Sequence, residues 1–379
     1  MKFSIPLIQL NKHIQQLASI CPSDASRSGD VSQCVLFDVT RDTLTLKATD
    51  YSLEVSCRLP VSDVTSPGAI AINAAKLVGL CSKLDADAPV TFELDEGNNT
   101  LSVSSGTSRS KLRARNADDF PSFPFFDEAE QHVPVSQRVL RQLIESSIFC
   151  IATDDFRDYL RGLRLEIFES TLTAFASDSH RLAIIETELD AKTDSPVMIT
   201  VTQKFAYELT KILSQSDDRV DLLVSSNKIG INCNQYTVLS NLIVCDYPQV
   251  RSIIPKKYGY NVGLPVKQLK SLVSRVSVLS SRRVNGVTFH FESNLLNLHA
   301  RNSEHEEGSD QLNISYDAKP FDITLNAAYV NRILDAMPTT DFIMRCPADI
   351  SSAMFEPDYQ NKDKTPDIRQ RYMVSRIII

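Results

Sequence analysis

Apolar and polar side chains alternate through many short runs of this 379-residue chain, and between those runs apolar residues recur three or four apart. Alternation predicts strands half-buried in a sheet, and the longer spacing predicts one-faced helices. The run LTLKATD at 44–50 is a strand and turn of the first kind. Two others echo it, LTAFASD from Leu172 and LNLHARN from Leu296, starting 128 and 124 residues apart. A second set follows the helical period: INAAKLVGLCSKL from Ile72, VTQKFAYELTKIL from Val201 and LNAAYVNRILDAM from Leu325. Each offers an Asn or Thr as N-cap, then apolar residues such as Leu77, Leu80 and Leu84, or Phe205, Leu209, Ile212 and Leu213. A third set aligns Leu10, Ile14 and Leu17 with Leu140, Ile144 and Ile148, and with Leu269, Val273 and Val276.

One plan of helix, strands, strand-turn, helix and strands therefore recurs three times. Polar, proline-containing stretches at 116–134 and 246–259 separate the copies, where a helix cannot continue. The expected fold class is α+β, with three similar domains at 1–127, 128–252 and 253–379, each of ordinary domain size.

Charge divides unevenly over this plan. The six expected helices, 7–19, 74–84, 137–149, 203–214, 266–277 and 327–337, carry eleven Lys or Arg against three acids. The remainder of this chain of net charge −7 holds 29 basic and 44 acidic residues. Charges on a helix usually mark only a solvated face, but five of the six share the basic bias; the sixth, near Arg332, is neutral. A basic helical surface on an acidic protein suits a phosphate backbone held without base reading. Candidates to face DNA are Lys12, Arg27, Lys76, Lys83, Arg138, Arg141, Lys204, Lys211, Lys267, Lys270 and Arg275. The chain has no Trp and no helix-turn-helix or zinc-finger spacing.

The stretch SDSHRLA at 177–183 places Ser, Asp, His and Arg side by side and invites a catalytic reading. A triad needs members that converge with the histidine central, and no GxSxG elbow occurs. On an extended segment Asp178 and His180 would share a side and Ser179 would point away. The scattered glycines form no phosphate-binding loop, so no cofactor is expected. The acidic run EHEEGSD at 304–310 is more simply a solvated loop than a metal site. The eight cysteines form no CxxC pair and are expected as small buried hydrophobes of a reducing, cytoplasmic compartment. No run approaches the 18 apolar residues of a membrane helix.

Several phrases, in order, carry a family resemblance: MKFSI, DDFPSFP, FRDYLRGLRLE, SDSHRLA, YPQVRSIIP, NAAYVNRILDAM, ADISSAMFEP and a last strand beginning at Tyr372. The chain resembles the bacterial DNA sliding clamps, the beta subunits of the replicative DNA polymerase III holoenzyme. The resemblance spans the whole chain and implies a non-catalytic, ring-shaped homodimer. Helices would line a central hole around duplex DNA, with β-sheets outside. It also implies a hydrophobic pocket where the polymerase III alpha subunit, the clamp loader, other polymerases, ligase and mismatch-repair proteins dock short motifs. Carried over by position, that pocket takes Leu160, Ser177, Ser179, His180, Arg181, Leu182, Pro248, Ile253, Tyr329, Ile350, Ser352, Met373, Ser375 and Ile377. The head-to-tail interface takes Arg109, Lys111 and Leu112 on one side, and Val278 and Leu279 on the other. Four positions depart from the family pattern. Ser179 replaces a customary glycine, Ser375 a large apolar residue, Arg376 a proline and Ile378 an arginine. The competing reading is a clamp-like paralogue, an interaction scaffold for repair or recombination proteins with no need of basic helices.

Overall fold

The computed structural model describes residues 1–22, 30–95, 97–121, 123, 130–190, 192–193, 195–360 and 367–378. Six α-helices form among them: α1 (Leu7–Ala18), α2 (Ala74–Cys81), α3 (Gln137–Glu145), α4 (Gln203–Ile212), α5 (Val266–Val276) and α6 (Ala327–Ala336). All six stand where the apolar spacing predicts them. The expected caps also form. Asn73 Oδ1 accepts from Lys76 N at 3.1 Å, Thr202 Oγ1 from Phe205 N at 3.2 Å, and Asn326 Oδ1 from Ala328 N and Tyr329 N. Two helices fall furthest short of their expected spans. α2 stops at Cys81, which leaves Lys83 in the turn beyond it. α3 stops at Glu145, and Ile148 falls in a 3₁₀ turn, Ile148–Cys150.

The three echoing segments are strands, Thr43–Thr49, Thr171–Ser177 and Leu295–Arg301. Every strand pairing with a described register is antiparallel, as short connections between neighbouring strands require. The chain divides into two compact units. The first comprises Met1–Val135 with Lys211–Leu213 and Asp218–Leu242, and the second Ser136–Thr210, Ser214–Asp217 and Ile243–Ile379. This division cuts through the middle copy of the repeat, because hydrogen-bonded sheets run past the expected boundaries. In the first unit, Tyr236–Asn241 pairs with Leu53–Pro60, Tyr236 opposite Cys57. In the second, Arg181–Glu188 pairs with Ile368–Ser375, Arg181 opposite Val374.

The first unit is built on a 13-stranded sheet whose core holds Phe3, Phe37 and Phe92, ring centroids 5.2 to 6.5 Å apart. His13 of α1 reaches across this core to Tyr236, whose hydroxyl also donates to Gln16 Oε1 at 2.7 Å. Burial, with Lys12 alongside, pushes the His13 imidazole below its ordinary value. The second unit has an eight-stranded and a four-stranded sheet. Strand Arg181–Glu188 lies inside the eight-stranded sheet, and its run Leu182, Ala183, Ile184 and Ile185 is buried on both faces. Gly162 opens another strand of this sheet, Gly162–Phe168, where no other residue fits, since a Cβ there would stand 2.6 Å from Val201 O.

Of the eight cysteines, six are buried and Cys21 and Cys245 half-buried. Burial pushes the Cys57, Cys150 and Cys346 thiols up to about 12. No helix among the described residues is long and apolar enough to cross a membrane.

Candidate functional site

The SDSHRLA stretch is a hairpin. Strand Thr171–Ser177 ends, 178–180 turn, and strand Arg181–Glu188 returns. Asp178 and His180 therefore do not share a side of an extended segment, because neither is in the strand. Asp178 Oδ1 accepts from His180 N and Arg181 N, both at 3.0 Å, and Oδ2 from Arg181 Nε at 2.9 Å. Ser177 Oγ accepts from Ser179 N at 3.1 Å and donates to Arg181 O at 2.7 Å. Ser179 carries the turn at φ +71°, the left-handed region that glycine adopts without strain. This explains why glycine is customary there. The aspartate and serine are committed to backbone geometry and the His180 ring is exposed, so no catalytic relay exists here.

The turn fixes Arg181, whose guanidinium lies 4.3 Å from the Tyr329 ring centroid. Together with Ser179 and His180, these residues line a groove of about 680 Å³ that also takes in Asp154, Asp155, Arg157, Gln203 and Arg332. Arg157 forks onto Asp155 at 2.9 and 2.8 Å and donates to Ser179 Oγ at 2.9 Å. Its hydrogen bonds hold the Asp155 carboxyl down to about 2.

Leu182, next along the strand, faces the opposite way. It joins an apolar cluster with Phe175, Ile184, Met354 and Met373, onto which Tyr247, Val250, Ile254 and Tyr258 pack. The carried-over pocket residues thus fall into two sets, a polar groove beside the turn and an apolar cluster under the connector 243–259. Leu160 is buried in a 3₁₀ turn, Asp158–Leu160. Ile253 is exposed by 56% while Ile254 does the packing, and Pro248 precedes both on the connector. Ile350 sits in a left-handed turn at φ +52°, two residues before the buried Ser352, which pairs with Ser375. The tail is tied by three successive amides. Ser375 N donates to His180 O at 2.8 Å, Arg376 N to Ser351 O at 3.0 Å and Ile377 N to Thr324 O at 2.8 Å. A proline at 376 has no N–H to make the middle bond.

The DNA-facing candidates also divide. Lys12, Lys76, Lys83 and Lys267 are exposed and make no ion pair among the described residues. Arg138 bonds Asp217 and Asp367 at 2.8 and 3.0 Å, Arg141 bonds Glu145 at 2.8 Å, and Arg275 bonds Asp310 at 2.6 Å. Lys270 pairs with Asp335. Lys204 and Lys211 are exposed on α4, Lys211 donating to Ser19 Oγ at 3.3 Å. Arg27 lies outside the described residues.

Comparison with known proteins decides what such an arrangement belongs to. Three family models of the DNA polymerase III beta subunit together match most of the chain. The N-terminal domain model covers residues 1–124, the central domain 134–249 and the C-terminal domain 251–367. The beta sliding clamp of Salmonella typhimurium is 30% identical over 356 residues, 94% of this chain and 96% of that one. The chain belongs to the bacterial beta sliding clamps. That of Vibrio cholerae is 29% identical over 89% of this chain and 90% of its own. The solved sliding clamp of Pseudomonas aeruginosa bound to griselimycin superposes with a TM-score of 0.92 at 27% identity, covering all of both chains. The fold is the three-domain clamp fold, and the family is non-catalytic. The scaffold reading is not favoured.

In this clamp two strand edges carry opposite charge. Ser108–Asn116 pairs with Thr100–Ser105 through Ser108 to Arg113, but with Gly68–Asn73 only at 114–116 among the described residues. Its open stretch presents Arg109, Lys111 and Arg113 outward, with Leu112 half-buried. Glu307–Asn313 is the end strand of the four-stranded sheet and carries Glu307 and Asp310. Glu304 and Glu306 precede it, and Leu279 lies beside its Gly308. Val278, next to Leu279, is exposed by 77%. The acidic strand escaped sequence reasoning, which took EHEEGSD for a solvated loop. Its signal was the acidic run set against RSKLRAR at 109–115.

Proposed function

We propose that two copies of this clamp close head to tail into a ring around duplex DNA, built from three repeat domains per chain, 1–127, 128–252 and 253–379. The observation that carries this reading is the pair of open strand edges of opposite charge. The basic edge of one copy would add to the acidic edge of the next, with Leu112 against Val278 and Leu279 as the apolar contact. Two unlike surfaces are what a closing heterologous ring requires. The exposed lysines supply attraction to phosphates without sequence reading, Lys267 more than the already paired Lys270.

The polar groove and apolar cluster of the second unit form the docking site for motif-bearing partners. These are the polymerase III alpha subunit, the clamp loader, other polymerases, ligase and mismatch-repair proteins, in the bacterial cytoplasm. The orienting groups His180 and Arg181 at the groove, beside the apolar cluster of Leu182 and Met373 under the connector, suit an extended peptide. Griselimycin, bound by the Pseudomonas aeruginosa clamp, belongs in the same site.

The test is sedimentation of the full chain followed by loading onto nicked circular DNA. The expected mass is twice 42.3 kDa, falling to one chain for the Arg109→Glu, Lys111→Glu double variant. Lys267→Glu weakens retention and flattens its salt dependence, because fewer counterions are released, and Lys270→Glu does so less. A wild-type chain that sediments as a monomer at micromolar concentration ends the ring reading.

A further inference from the structure

The connector 243–259 carries two residues assigned to the docking site, Pro248 and Ile253, and has no strand or α-helix of its own. A connector of this kind ordinarily has to be ordered when a ligand binds against it, which subtracts from affinity. Here it is held in place beforehand. Tyr247, Val250, Ile254 and Tyr258 pack on the Leu182 cluster, and between them Arg251 lies over the Phe175 ring, 5.0 Å from its centroid.

The sheet beneath Arg251 is arranged to receive a cation. Glu166, Thr173 and Glu186 are in register on three adjacent strands, so two carboxylates flank one threonine on the same face. Arg251 spans the gap. Its Nη2 stands 3.6 Å from Glu166 Oε2 and donates to Thr173 Oγ1 at 3.4 Å, and its Nη1 stands 3.8 Å from Glu186 Oε1. Each carboxylate has a second arginine, Arg164 on Glu166 at 3.3 Å and Arg371 on Glu186 at 2.8 Å. Arg164 also lies 5.0 Å from the Tyr247 ring centroid. The result is an alternating row, Arg164–Glu166–Arg251–Glu186–Arg371, in which only Arg251 comes from the connector.

We infer that Arg251 is a positioning residue of the docking site: it latches the connector to the sheet so that Pro248 and Ile253 stand ready before a ligand arrives. The inference rests on the docking reading above. The row needs a planar cation that stacks on Phe175 while reaching two carboxylates, and lysine meets only the charge requirement. The network is half exposed at Arg251, so removing it loosens the connector without unfolding the sheet.

The experiment uses the full-length clamp and griselimycin as probe, titrated calorimetrically into wild type, Leu182→Ala, Arg251→Ala, Arg251→Lys and the Glu166→Gln, Glu186→Gln double variant. Amide exchange of the connector is followed in the unliganded chain. The expected result is a loss of about tenfold in affinity for Arg251→Ala and for the glutamine double variant. Arg251→Lys recovers part of it. Exchange quickens at 249–254 and stays unchanged in strands Thr171–Ser177 and Arg181–Glu188. Exchange that quickens across those strands as well would assign Arg251 a general structural role and overturn the inference. Binding weakened by Leu182→Ala but not by Arg251→Ala overturns it while the docking site stands. If Leu182→Ala binds as wild type, the docking site is misplaced and the latch loses its purpose with it.

Discussion

The turns at Asp50 and Asp178 share one backbone device and serve different ends. In each, an aspartate accepts from the amides two and three residues on: Ser52 and Leu53 at 3.0 and 2.9 Å, His180 and Arg181 at 3.0 Å. In each, the residue before it, Thr49 or Ser177, donates to the carbonyl four residues on, of Leu53 or Arg181. The next residue is left-handed in both, Tyr51 at φ +74° and Ser179 at φ +71°. What differs is the side chain the turn delivers. The first delivers Leu53 to a core. The second delivers Arg181 to the Tyr329 ring, at the rim of a groove. The third copy, at Asn302, is longer and caps Glu304 N and Glu306 N instead. The same rigid turn thus presents an apolar side chain to a core in one copy and a cation at the rim of a groove in the other.

The sharpest way to break that comparison is to remove the aspartates. Asp178→Ala strips acceptors from two amides and from a charged guanidinium, and is expected to cost about 2–3 kcal/mol of local stability. It also abolishes griselimycin binding, because Arg181 loses its anchor. Asp50→Ala costs about 1–2 kcal/mol and leaves binding intact. Calorimetry with amide exchange at each turn checks both. Equal loss of binding in the two variants would show that the turns do not differ in role.

A smaller effect separates the two left-handed residues. Ser179→Gly relieves about 1 kcal/mol of backbone strain and gives up a bond from Arg157 worth about 0.5 kcal/mol, for a slight net gain. Tyr51→Gly gains the same relief but loses the hydroxyl bond to Asp30 Oδ1 at 2.7 Å and the contacts of an exposed ring, so it is destabilised by about 1 kcal/mol. Opposite signs in the protection of His180 N and Ser52 N are the expected result.

What was legible beforehand was local. Asn73, Thr202 and Asn326 announce their caps by type and position, and Leu269, Val273 and Val276 announce a buried face, because both depend on neighbours in sequence. What was not legible depends on partners far along the chain. Nothing near Lys270 or Arg275 says that Asp335 or Asp310 neutralises them, and nothing near Arg251 points to Glu166 and Glu186. The strand Tyr236–Asn241 reads as a strand from its own residues, but its pairing opposite Cys57 is set by a strand far back in the chain. The residues proposed for docking came from the family phrases. Their separation into a polar groove and an apolar cluster came only from the alternation of Arg181 and Leu182 in three dimensions.

The smallest effect, and the one that tests the two units against each other, is the response to acid. In the first unit His13 is buried beside Tyr236, Gln16 and Cys57, and its folded value lies below the ordinary 6.5. Between that depressed value and 6.5 the unfolded chain binds a proton that the folded chain refuses. Stability from this group is therefore complete above 6.5 and falls as the pH drops below it. In the second unit the Arg157–Asp155 fork lowers a carboxyl from the ordinary 3.8 to about 2, so its contribution survives until the pH falls through that lower window. Amide protection, corrected for the intrinsic pH dependence of exchange, should accordingly fall at Tyr236 as the pH drops below 6.5, while that at Ser179 holds until the pH is below about 4. His13→Gln keeps a hydrogen-bonding group opposite Tyr236 but has no proton to gain, and removes the first step only. If the step at Tyr236 persists in that variant, the acid sensitivity of the first unit lies elsewhere than in α1.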